Sequence, residues 1–532
     1  MFHWPSTENM ILSLLILACL YQHVDTNQSI IVSTKYGDVL GYETPMARVF
    51  YGIPFAQPPV GALRWNPPVA ISKWTGKVIN ATKPPPACPQ RSCDIHSLLC
   101  PTNISEDCLY LNIFTPLLNT SSSSSLLPVM IFITGGTFQF LGASLPIYEA
   151  ERFVNTSNVI CVFIQYRLGV LGFLATGTGP NDLHGNYGIL DQRLSIAWVN
   201  ENVDVFGGDP NQITLFGQSA GGQSTALHYV SSEMQSFFQA AIIQSSPMLL
   251  PFRTYAEYIT PAVFLAEKLN CTIGNITCFR ETSYQDIIVA QSQVNGMITS
   301  LNILISLEPW VPVIDNSVVH DQLMNTILNI SFALKPLIIG TLTDEALSFV
   351  HGAFHKPVLP LNYTEISLVL FRDNFLKVIE RYPPDGLGDQ RPLLTRITTQ
   401  WIFACPARIF ARKTATYSYV FGFPLEANGT DNSSVCQGCA CHGDEIPFLF
   451  ESLWNNFTDA GKRISESLAT YWTNYAKTKD PNQPVQIPLV WPRLMNNVMK
   501  YLYFQDPVQI IENYLKDDCD FWDTIGYQHN YF

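Results

Sequence analysis

The sequence has few charged residues and little positive charge. Only 14% of its 532 residues are Asp, Glu, Lys or Arg, whereas 47% are hydrophobic, which excludes a globally disordered chain. The 30 Lys and Arg residues are outnumbered by 43 Asp and Glu residues, and the net charge of -13 disfavours nucleic acid and anionic membrane surfaces as partners. Internal repeats and long linkers are also missing. The composition therefore predicts a globular protein with a large core, but it selects no substrate.

A hydrophobic run long enough to cross a bilayer comfortably is also missing. Residues 10–21 are apolar and have the length of a signal-peptide core. The segment before them contains Glu8 but no Lys or Arg, which initiation at Met10 would explain, and no clean small-x-small cleavage site precedes Asn27. Residues 526–532 show no apolar tail, prenylation box or retrieval tetrapeptide. We expect a signal peptide at 1–26, a single domain at 27–532 and no membrane anchor.

Cysteines and glycosylation signals support export. The chain has 13 cysteines, and secreted proteins are where such numbers form disulfides. About a dozen Asn-x-Ser/Thr sequons are present, including those at Asn27, Asn80, Asn103, Asn119, Asn155, Asn275, Asn329, Asn362, Asn428 and Asn456. We therefore expect a secreted glycoprotein, or one in the lumen of the secretory pathway.

Short apolar runs rich in β-branched and aromatic residues recur along the chain. The stretches between them are long enough for crossover helices, which favours a largely parallel sheet. Residues 190–202 and 464–477 have the periodicity of helices. The strand-like runs are 129–133, 159–164, 213–216, 240–243, 337–339 and 417–421.

Ser219 stands between Gly217 and Gly221, directly after the apolar run 213–216. This is the nucleophile elbow pattern, in which a strand reverses sharply into a helix and lifts the serine oxygen clear of the backbone. The Ala220 N–H at the start of that helix can stabilise a developing oxyanion. Because Gly and Ser are common residues, this short motif is not decisive alone.

Several longer segments carry a resemblance to a known family. These segments are YGIPFAQPPVG at 51–61, EDCLYLN at 106–112 and FGGDP at 206–210. Together they resemble the type-B carboxylesterase and cholinesterase family, and the similarity extends from about residue 32 to residues 519–522. The resemblance implies an α/β-hydrolase fold, with a central, mostly parallel sheet flanked by helices and an active site at the bottom of a gorge.

The same resemblance implies a catalytic triad. Its acid lies in a Gly-x-x-x-Asp-Glu segment, which here ends in Glu345, with Asp344 as a minor rival; its histidine lies in a His-Gly-x-Glu segment, which here begins at His442. The chain order of serine, acid and histidine is that of α/β-hydrolases. We expect Ser219 to be the nucleophile, His442 the general acid and base, and Glu345 the acid that orients it.

The family's glycine-rich oxyanion loop corresponds to Thr134-Gly135-Gly136-Thr137-Phe138. The expected oxyanion donors are the N–H groups of Gly136, Thr137 and Ala220. Thr137 replaces a commoner third glycine, and its β-branched side chain predicts a narrower acyl pocket.

Two departures argue against choline esters as substrates. Gln218 stands where cholinesterases have a glutamate beside the serine, so that negative charge is missing. The segment between Cys88 and Cys108 matches the loop that carries the choline-binding tryptophan, but it contains no Trp. General esterase, lipase and more specialised hormone or pheromone esterase all stay open.

Resemblance also implies structural disulfides. The implied pairs are Cys88 with Cys108, Cys271 with Cys278, and Cys405 with Cys519. Cys93 and Cys100 are candidates for a further pair, and Cys161 is expected to be a buried thiol. Cys436, Cys439 and Cys441 precede His442; their spacing does not match haem attachment, and we expect a Cys436–Cys441 bridge, with Cys439 unassigned.

The sequence thus predicts a serine carboxylesterase acting on a small-molecule ester, without a metal or cofactor. The alternative is a catalytically weak adhesion protein of the cell surface, or an extracellular storage protein, on the same fold. Oligomeric state is left open.

Overall fold

The computed structural model describes residues 28–91, 98–117, 125–299, 303–414, 417–426, 435–494 and 498–527. The expected signal peptide at 1–26 and Cys93 lie outside these described residues. Among the described residues, no helix is both long and apolar enough to span a membrane.

The described residues contain one sheet of 13 strands in the order β1-β2-β3-β5-β7-β6-β8-β9-β10-β11-β12-β13, with β4 paired to β2. All neighbours from β7 through β6 and β8 to β12 are parallel, and antiparallel strands extend the sheet at both ends. The largely parallel sheet and all six strand-like runs are confirmed. The strands are β1 (Gln28–Ser33), β2 (Asp38–Glu43), β3 (Ala47–Pro54), β4 (Val78–Asn80), β5 (Tyr110–Pro116), β6 (Leu127–Ile133), β7 (Ile160–Ile164), β8 (Gly208–Gln218), β9 (Ala240–Gln244), β10 (Leu337–Leu342), β11 (Tyr417–Phe421), β12 (Lys500–Phe504) and β13 (Gln509–Glu512).

Helices fill the connections between the strands. Both helices expected from periodicity are confirmed, as Tyr187–Asn202 and Asp459–Thr478. The other α-helices are Glu151–Ser157, Gly169–Phe173, Ala220–Tyr229, Tyr255–Lys268, Ile276–Glu281, Tyr284–Thr299, Ile303–Leu307, Leu323–Asn329, Leu347–Ala353, Pro360–Phe371, Phe375–Arg381, Arg391–Thr398, Cys405–Thr414, Glu445–Phe450 and Lys516–Ile525, with a π-helical turn at Thr399–Ala404.

The core lies on both faces of the sheet. Side chains alternate along β6, so Ile131 and Ile133 join one hydrophobic cluster while Met130 and Phe132 join the cluster on the opposite face. Every residue of β6 after its first is buried, as expected of a central parallel strand that is covered by helices on both sides.

Disulfides link segments around the sheet. Between described cysteines, the bonded pairs are Cys88 with Cys108, Cys271 with Cys278, Cys405 with Cys519, and Cys436 with Cys441. Cys161 is a buried thiol and Cys439 a half-buried one. The Cys405–Cys519 bond joins the C-terminal helix to the body of the molecule across 114 residues.

Parallel pairing places the carboxyl ends of β6, β8, β10 and β11 at the same edge of the sheet. The chain leaves β6 into the glycine-rich loop, leaves β8 at Ser219, and leaves β10 towards Glu345. In open parallel sheets this edge is where ligands bind. The residues singled out from the sequence therefore meet there because of the topology.

Candidate active site

Ser219 connects β8 to the helix Ala220–Tyr229, which we call the elbow helix. Its backbone has φ 60° and ψ -127°, a conformation that residues other than glycine rarely adopt. The Ser219 N–H donates to the Gln244 carbonyl oxygen, and the Ser219 carbonyl accepts from the Gln223 N–H. The strained turn is thus held from both sides, and Ser219 is only 4% exposed.

Glycines let the oxyanion loop and the elbow pack closely. A Cβ atom on Gly135 would lie 2.6 Å from the Gln218 carbonyl oxygen and 3.0 Å from the Ser219 Cβ. A Cβ atom on Gly221 would clash with the carbonyl oxygen of Ile133, at the end of β6. The elbow glycines are therefore needed for the contact between two neighbouring strand ends, and not only for the turn.

Three backbone N–H groups beside Ser219 are available to a ligand. Within the described chain, the N–H groups of Gly136, Thr137 and Ala220 donate to no other backbone or side-chain group. Ala220 is the first residue of the elbow helix, where N–H groups are unpaired by geometry and the helix dipole is positive. The three donors together suit an oxyanion.

Thr137 keeps the backbone conformation of a glycine despite its side chain. Its φ is 51°, which costs a β-branched residue about 1–3 kcal/mol. Its hydroxyl accepts a long hydrogen bond of 3.4 Å from Gln139, whose amide oxygen accepts from Asn295 at 2.8 Å. Trp310 donates to Asn295 at 2.7 Å. The oxyanion loop is therefore braced by a polar network from the helix Tyr284–Thr299 and the segment after it.

Glu345 and His442 are in direct contact. The His442 Nδ1 lies 2.5 Å from Oε2 of Glu345, whose side chain is fully buried. The other carboxylate oxygen accepts from the Leu342 N–H at 2.8 Å. Asp344 does not take part, because its carboxylate accepts from the Thr343 hydroxyl instead. A carboxylate can only accept, so Nδ1 carries the proton and Nε2 is left as the basic nitrogen.

Aromatic rings and a disulfide fix the imidazole. Phe349 and Phe403 pack against it at ring-centroid distances of 5.1 and 5.3 Å. The Cys436–Cys441 disulfide ends one residue before His442 and leaves neither thiolate free to bind a metal. In the described part of the chain, no group of three or more His, Cys, Asp or Glu side chains is placed to hold a metal ion.

The basic nitrogen of His442 is occupied by Gln218. The Gln218 side-chain Nε2 lies 3.1 Å from the His442 Nε2, and the amide donates because that ring nitrogen has no proton. Ser219 Oγ makes no hydrogen bond within the described residues. In this state Gln218, and not Ser219, therefore holds the nitrogen that would accept the serine proton.

Two further acidic residues, Asp444 and Glu445, lie beside the Glu345–His442 pair. Burial, followed by the charge of Glu345, raises the pKa of Glu445 to about 8. Burial also raises the pKa of Asp444 to about 7. Gln244 donates to Glu445 at 3.1 Å and in turn accepts from Trp472. Burial therefore favours the neutral form of Glu445, which limits the negative charge next to Glu345.

Sequence reasoning singled out Ser219, Glu345 and His442, which the structure brings to one edge of the sheet. It recorded the missing charge at Gln218 but not the contact with the imidazole. It also did not single out Glu308, a buried acid in the apolar run 303–313. The sequence signal for a buried acid at this position was a single charged residue inside an apolar run.

Comparison with known proteins agrees with this geometry. The sequence profile of the carboxylesterase family matches residues 28–522. The chain is 35% identical to the crystal protein of Dictyostelium discoideum, over 92% of this chain and 90% of that protein. It is 32% identical to the cAMP-regulated D2 protein of the same organism, over 95% and 94% of the two chains. It is 30% identical to acetylcholinesterase of Bungarus fasciatus, over 92% and 85%.

A solved structure points the same way. The structure named PNB esterase superimposes with a TM-score of 0.79 at 27% identity and covers 93% of this chain and 100% of its own. The expected α/β-hydrolase fold is therefore confirmed, and an ester hydrolase is the class that fold and family support. The chain belongs to the carboxylesterase family.

Proposed function

We propose that the chain is a serine carboxylesterase that cleaves small-molecule carboxylic esters through an acyl intermediate on Ser219. The observation that carries this proposal is the 2.5 Å contact between the His442 Nδ1 and the buried Glu345 carboxylate, beside a serine in a strained turn. A strained turn next to three unpaired N–H groups is typical of an active site.

In the first half-reaction, Ser219 Oγ attacks the ester carbonyl carbon while the His442 Nε2 takes its proton. The tetrahedral oxyanion accepts from Gly136, Thr137 and Ala220. Glu345 stabilises the imidazolium and keeps its orientation. His442 then protonates the leaving alcohol, and the C–O bond to that alcohol breaks. Before the attack, the Gln218 amide has to leave the His442 Nε2.

In the second half-reaction, water replaces the alcohol. His442 takes a proton from the water, which attacks the acyl carbon, and then returns the proton to Ser219 Oγ as the acid is released. The same donors hold the second oxyanion, so both steps use one site. The reaction balances with ester and water alone, and the proposal includes no metal or cofactor.

We further propose that residues 27–532 form one exported, glycosylated domain after removal of 1–26. The disulfides between described cysteines support an oxidising compartment. Sequons at Asn80, Asn103 and Asn362 lie on described residues that are exposed to solvent, where a glycan has room.

A fluorophosphonate probe tests the proposed function directly. The full-length, oxidised protein is expected to form one covalent adduct, and mass spectrometry of its peptides should place the phosphorus on Ser219. Hydrolysis of p-nitrophenyl butyrate should stop in proportion to the labelling. An unlabelled native protein, or an adduct on another residue, would refute the proposal.

The Gln218 contact gives a second expected result. Gln218→Met keeps the side-chain length but removes the amide, so Ser219 no longer competes for the His442 Nε2. We expect labelling by the probe to become about 2–12-fold faster, which corresponds to losing one hydrogen bond of about 0.5–1.5 kcal/mol. Gln212→Met is the control, because Gln212 lies on the same strand and bonds Asp209 away from the site. An unchanged or slower rate in Gln218→Met would mean that the amide does not compete.

A further inference from the structure

Residues 136–141, which we call the donor turn, include the oxyanion donors Gly136 and Thr137 and bend through glycine-like conformations at three residues that carry side chains. Thr137 has φ 51°, Phe138 has φ 58° and Leu141 has φ 74°. Residues with a Cβ atom rarely adopt such angles, and they keep them only where the surrounding structure holds them. The groups that hold the donor turn therefore decide where its N–H donors lie.

The donor turn is folded tightly on itself. The Gly136 carbonyl accepts from the N–H groups of Gln139 and Phe140 at 2.8 and 2.9 Å. A Cβ atom on Gly136 would lie 2.4 Å from the Phe140 carbonyl oxygen and 3.0 Å from the Leu141 Cγ. The end of the turn thus packs directly against Gly136, and a shift of Leu141 would displace a residue that supplies an oxyanion donor.

Gln90 holds the end of the donor turn. Its Oε1 accepts from the Leu141 N–H at 2.9 Å, and its Nε2 donates to the Leu141 carbonyl at 2.7 Å. The same Nε2 donates to the carbonyl of Cys88, which the disulfide to Cys108 anchors. Gln90 is only 4% exposed, so water does not compete for these bonds. One buried amide therefore fixes both backbone groups of a residue at φ 74°.

A second chain of hydrogen bonds reaches Thr137, and its direction is set at the far end. The Trp310 indole can only donate, so the Asn295 Oδ1 faces it at 2.7 Å. The Asn295 Nδ2 then donates to the Gln139 Oε1 at 2.8 Å, which leaves the Gln139 Nε2 directed at the Thr137 hydroxyl. The orientation of both amides thus follows from the indole.

We propose that Gln90 and Asn295 are positioning residues of the oxyanion site. Both act on the reaction only through the donor turn, which they keep in the conformation that presents the N–H groups of Gly136 and Thr137. Without these bonds the turn relaxes towards negative φ at Leu141 or Thr137, and its N–H groups turn away. Because the oxyanion exists only in the transition state, the loss falls on kcat and not on KM. This inference rests on the proposed function and adds residues on which its rate depends.

Substitutions at the two positions test the inference through the steady-state hydrolysis of p-nitrophenyl butyrate. Gln90→Met keeps the side-chain length but removes both bonds to Leu141. We expect its kcat to fall by about 10–100-fold with KM within about twofold, since complete loss of an oxyanion donor costs about 10²–10³-fold in kcat. Asn295→Asp still accepts from Trp310 but cannot donate to Gln139, and its kcat should fall by about 2–12-fold, the effect of one hydrogen bond.

Gln390→Met is the matched control. Gln390 is 1% exposed and makes the same pair of bonds, from the Asp385 N–H at 2.8 Å and to the Asp385 carbonyl at 2.9 Å, with a third bond to the Gly388 carbonyl. Asp385 and Gly388 are exposed residues of a surface loop. Gln390→Met should therefore lower the melting temperature about as much as Gln90→Met and leave kcat unchanged.

A glycine at position 141 separates positioning from a purely structural role. Glycine adopts φ 74° without strain, so the donor turn then depends less on Gln90. In the Leu141→Gly background, Gln90→Met should lower kcat by less than about threefold relative to Leu141→Gly alone. A purely structural role of Gln90 would give the same loss of kcat in both backgrounds.

The possible failures are distinguishable. The inference is overturned by an unchanged kcat in Gln90→Met and Asn295→Asp, by an equal loss of kcat in Gln390→Met, by a change confined to KM, or by a loss that Leu141→Gly does not reduce. If Gln90→Met does not fold, Asn295→Asp decides alone. A wild-type protein that neither hydrolyses the ester nor is labelled on Ser219 means that the proposed function itself has failed.

Discussion

Ser219→Ala is expected to lower kcat for p-nitrophenyl butyrate by about 10⁶-fold, the loss seen when a hydrolase of this kind loses its nucleophile. Neither chain neighbour of Ser219, Gln218 or Ala220, has a hydroxyl that could replace it. Ala220 and Gly221 follow it on the elbow helix, and the Thr225 hydroxyl donates to the Gly221 carbonyl further along that helix. The measurement is single-turnover and steady-state hydrolysis by the purified protein. A small rate above the reaction in water should persist, because the three oxyanion donors are unchanged.

The same variant decides between an enzyme and a binding protein. An adhesion or storage protein would show the same slow ester hydrolysis with and without the serine hydroxyl. Equal rates for wild type and Ser219→Ala would therefore contradict the proposed function, provided that both proteins have the same circular dichroism spectrum and melting temperature. Loss of the rate at an unchanged melting temperature supports it.

The backbone of Ser219 adds a control that activity alone does not offer. Glycine adopts φ 60° and ψ -127° without steric cost, whereas serine and alanine do not. We expect Ser219→Gly to be inactive and yet to melt at a higher temperature than Ser219→Ala. The strain of about 1–3 kcal/mol that it relieves exceeds the added chain entropy of about 0.5–1 kcal/mol. Stability and activity would then change in opposite directions at one residue, as at many active sites.

Local pattern was enough to predict the sheet and the elbow. The run 213–216 is apolar because β8 is a central strand covered on both faces, and burial of this kind leaves a clear signal in the sequence. The glycines beside Ser219 are equally readable, since the close approach of Gly221 to the end of β6 admits no side chain. Features set by sterics along one segment can be predicted without knowing the rest of the chain.

Contacts between distant segments could not be predicted in this way. Gln218 and His442 are separated by 224 positions, and nothing in the local pattern of either residue shows that the amide reaches the imidazole. The contact between Glu308 and Gln223 depends likewise on the elbow helix, which precedes Glu308 by about 80 residues and supplies Gln223. The sequence predicted that the Thr137 side chain narrows the acyl pocket, but it did not predict the φ of 51°, which shows that the loop imposes the glycine conformation on this residue.

Glu345→Gln is expected to lower kcat/KM for p-nitrophenyl butyrate by about 10⁴-fold, although it preserves shape and volume. Glu345 now accepts two hydrogen bonds, from the Leu342 N–H and from the His442 Nδ1. An amide has only one oxygen, so one of these two donors would face its NH₂ group. Either the Leu342 N–H loses its acceptor inside the core, or Nδ1 becomes the acceptor and the ring proton moves to Nε2. In the second case His442 can no longer take the proton of Ser219.

Asp344→Asn is the matched control, because it removes the charge of the neighbouring carboxylate without touching the imidazole. The Asp344 carboxylate accepts from Thr343, and its backbone N–H donates to the Ala440 carbonyl, so we expect its kcat/KM to stay within a fewfold of wild type. The two variants are compared at equal concentrations of purified protein, and their melting temperatures should be equal. A larger loss in Asp344→Asn than in Glu345→Gln would move the role of the orienting acid to Asp344. We expect the larger loss of kcat/KM in Glu345→Gln because Glu345 makes the 2.5 Å contact with the His442 Nδ1. The group that accepts from Nδ1 decides which ring nitrogen is basic.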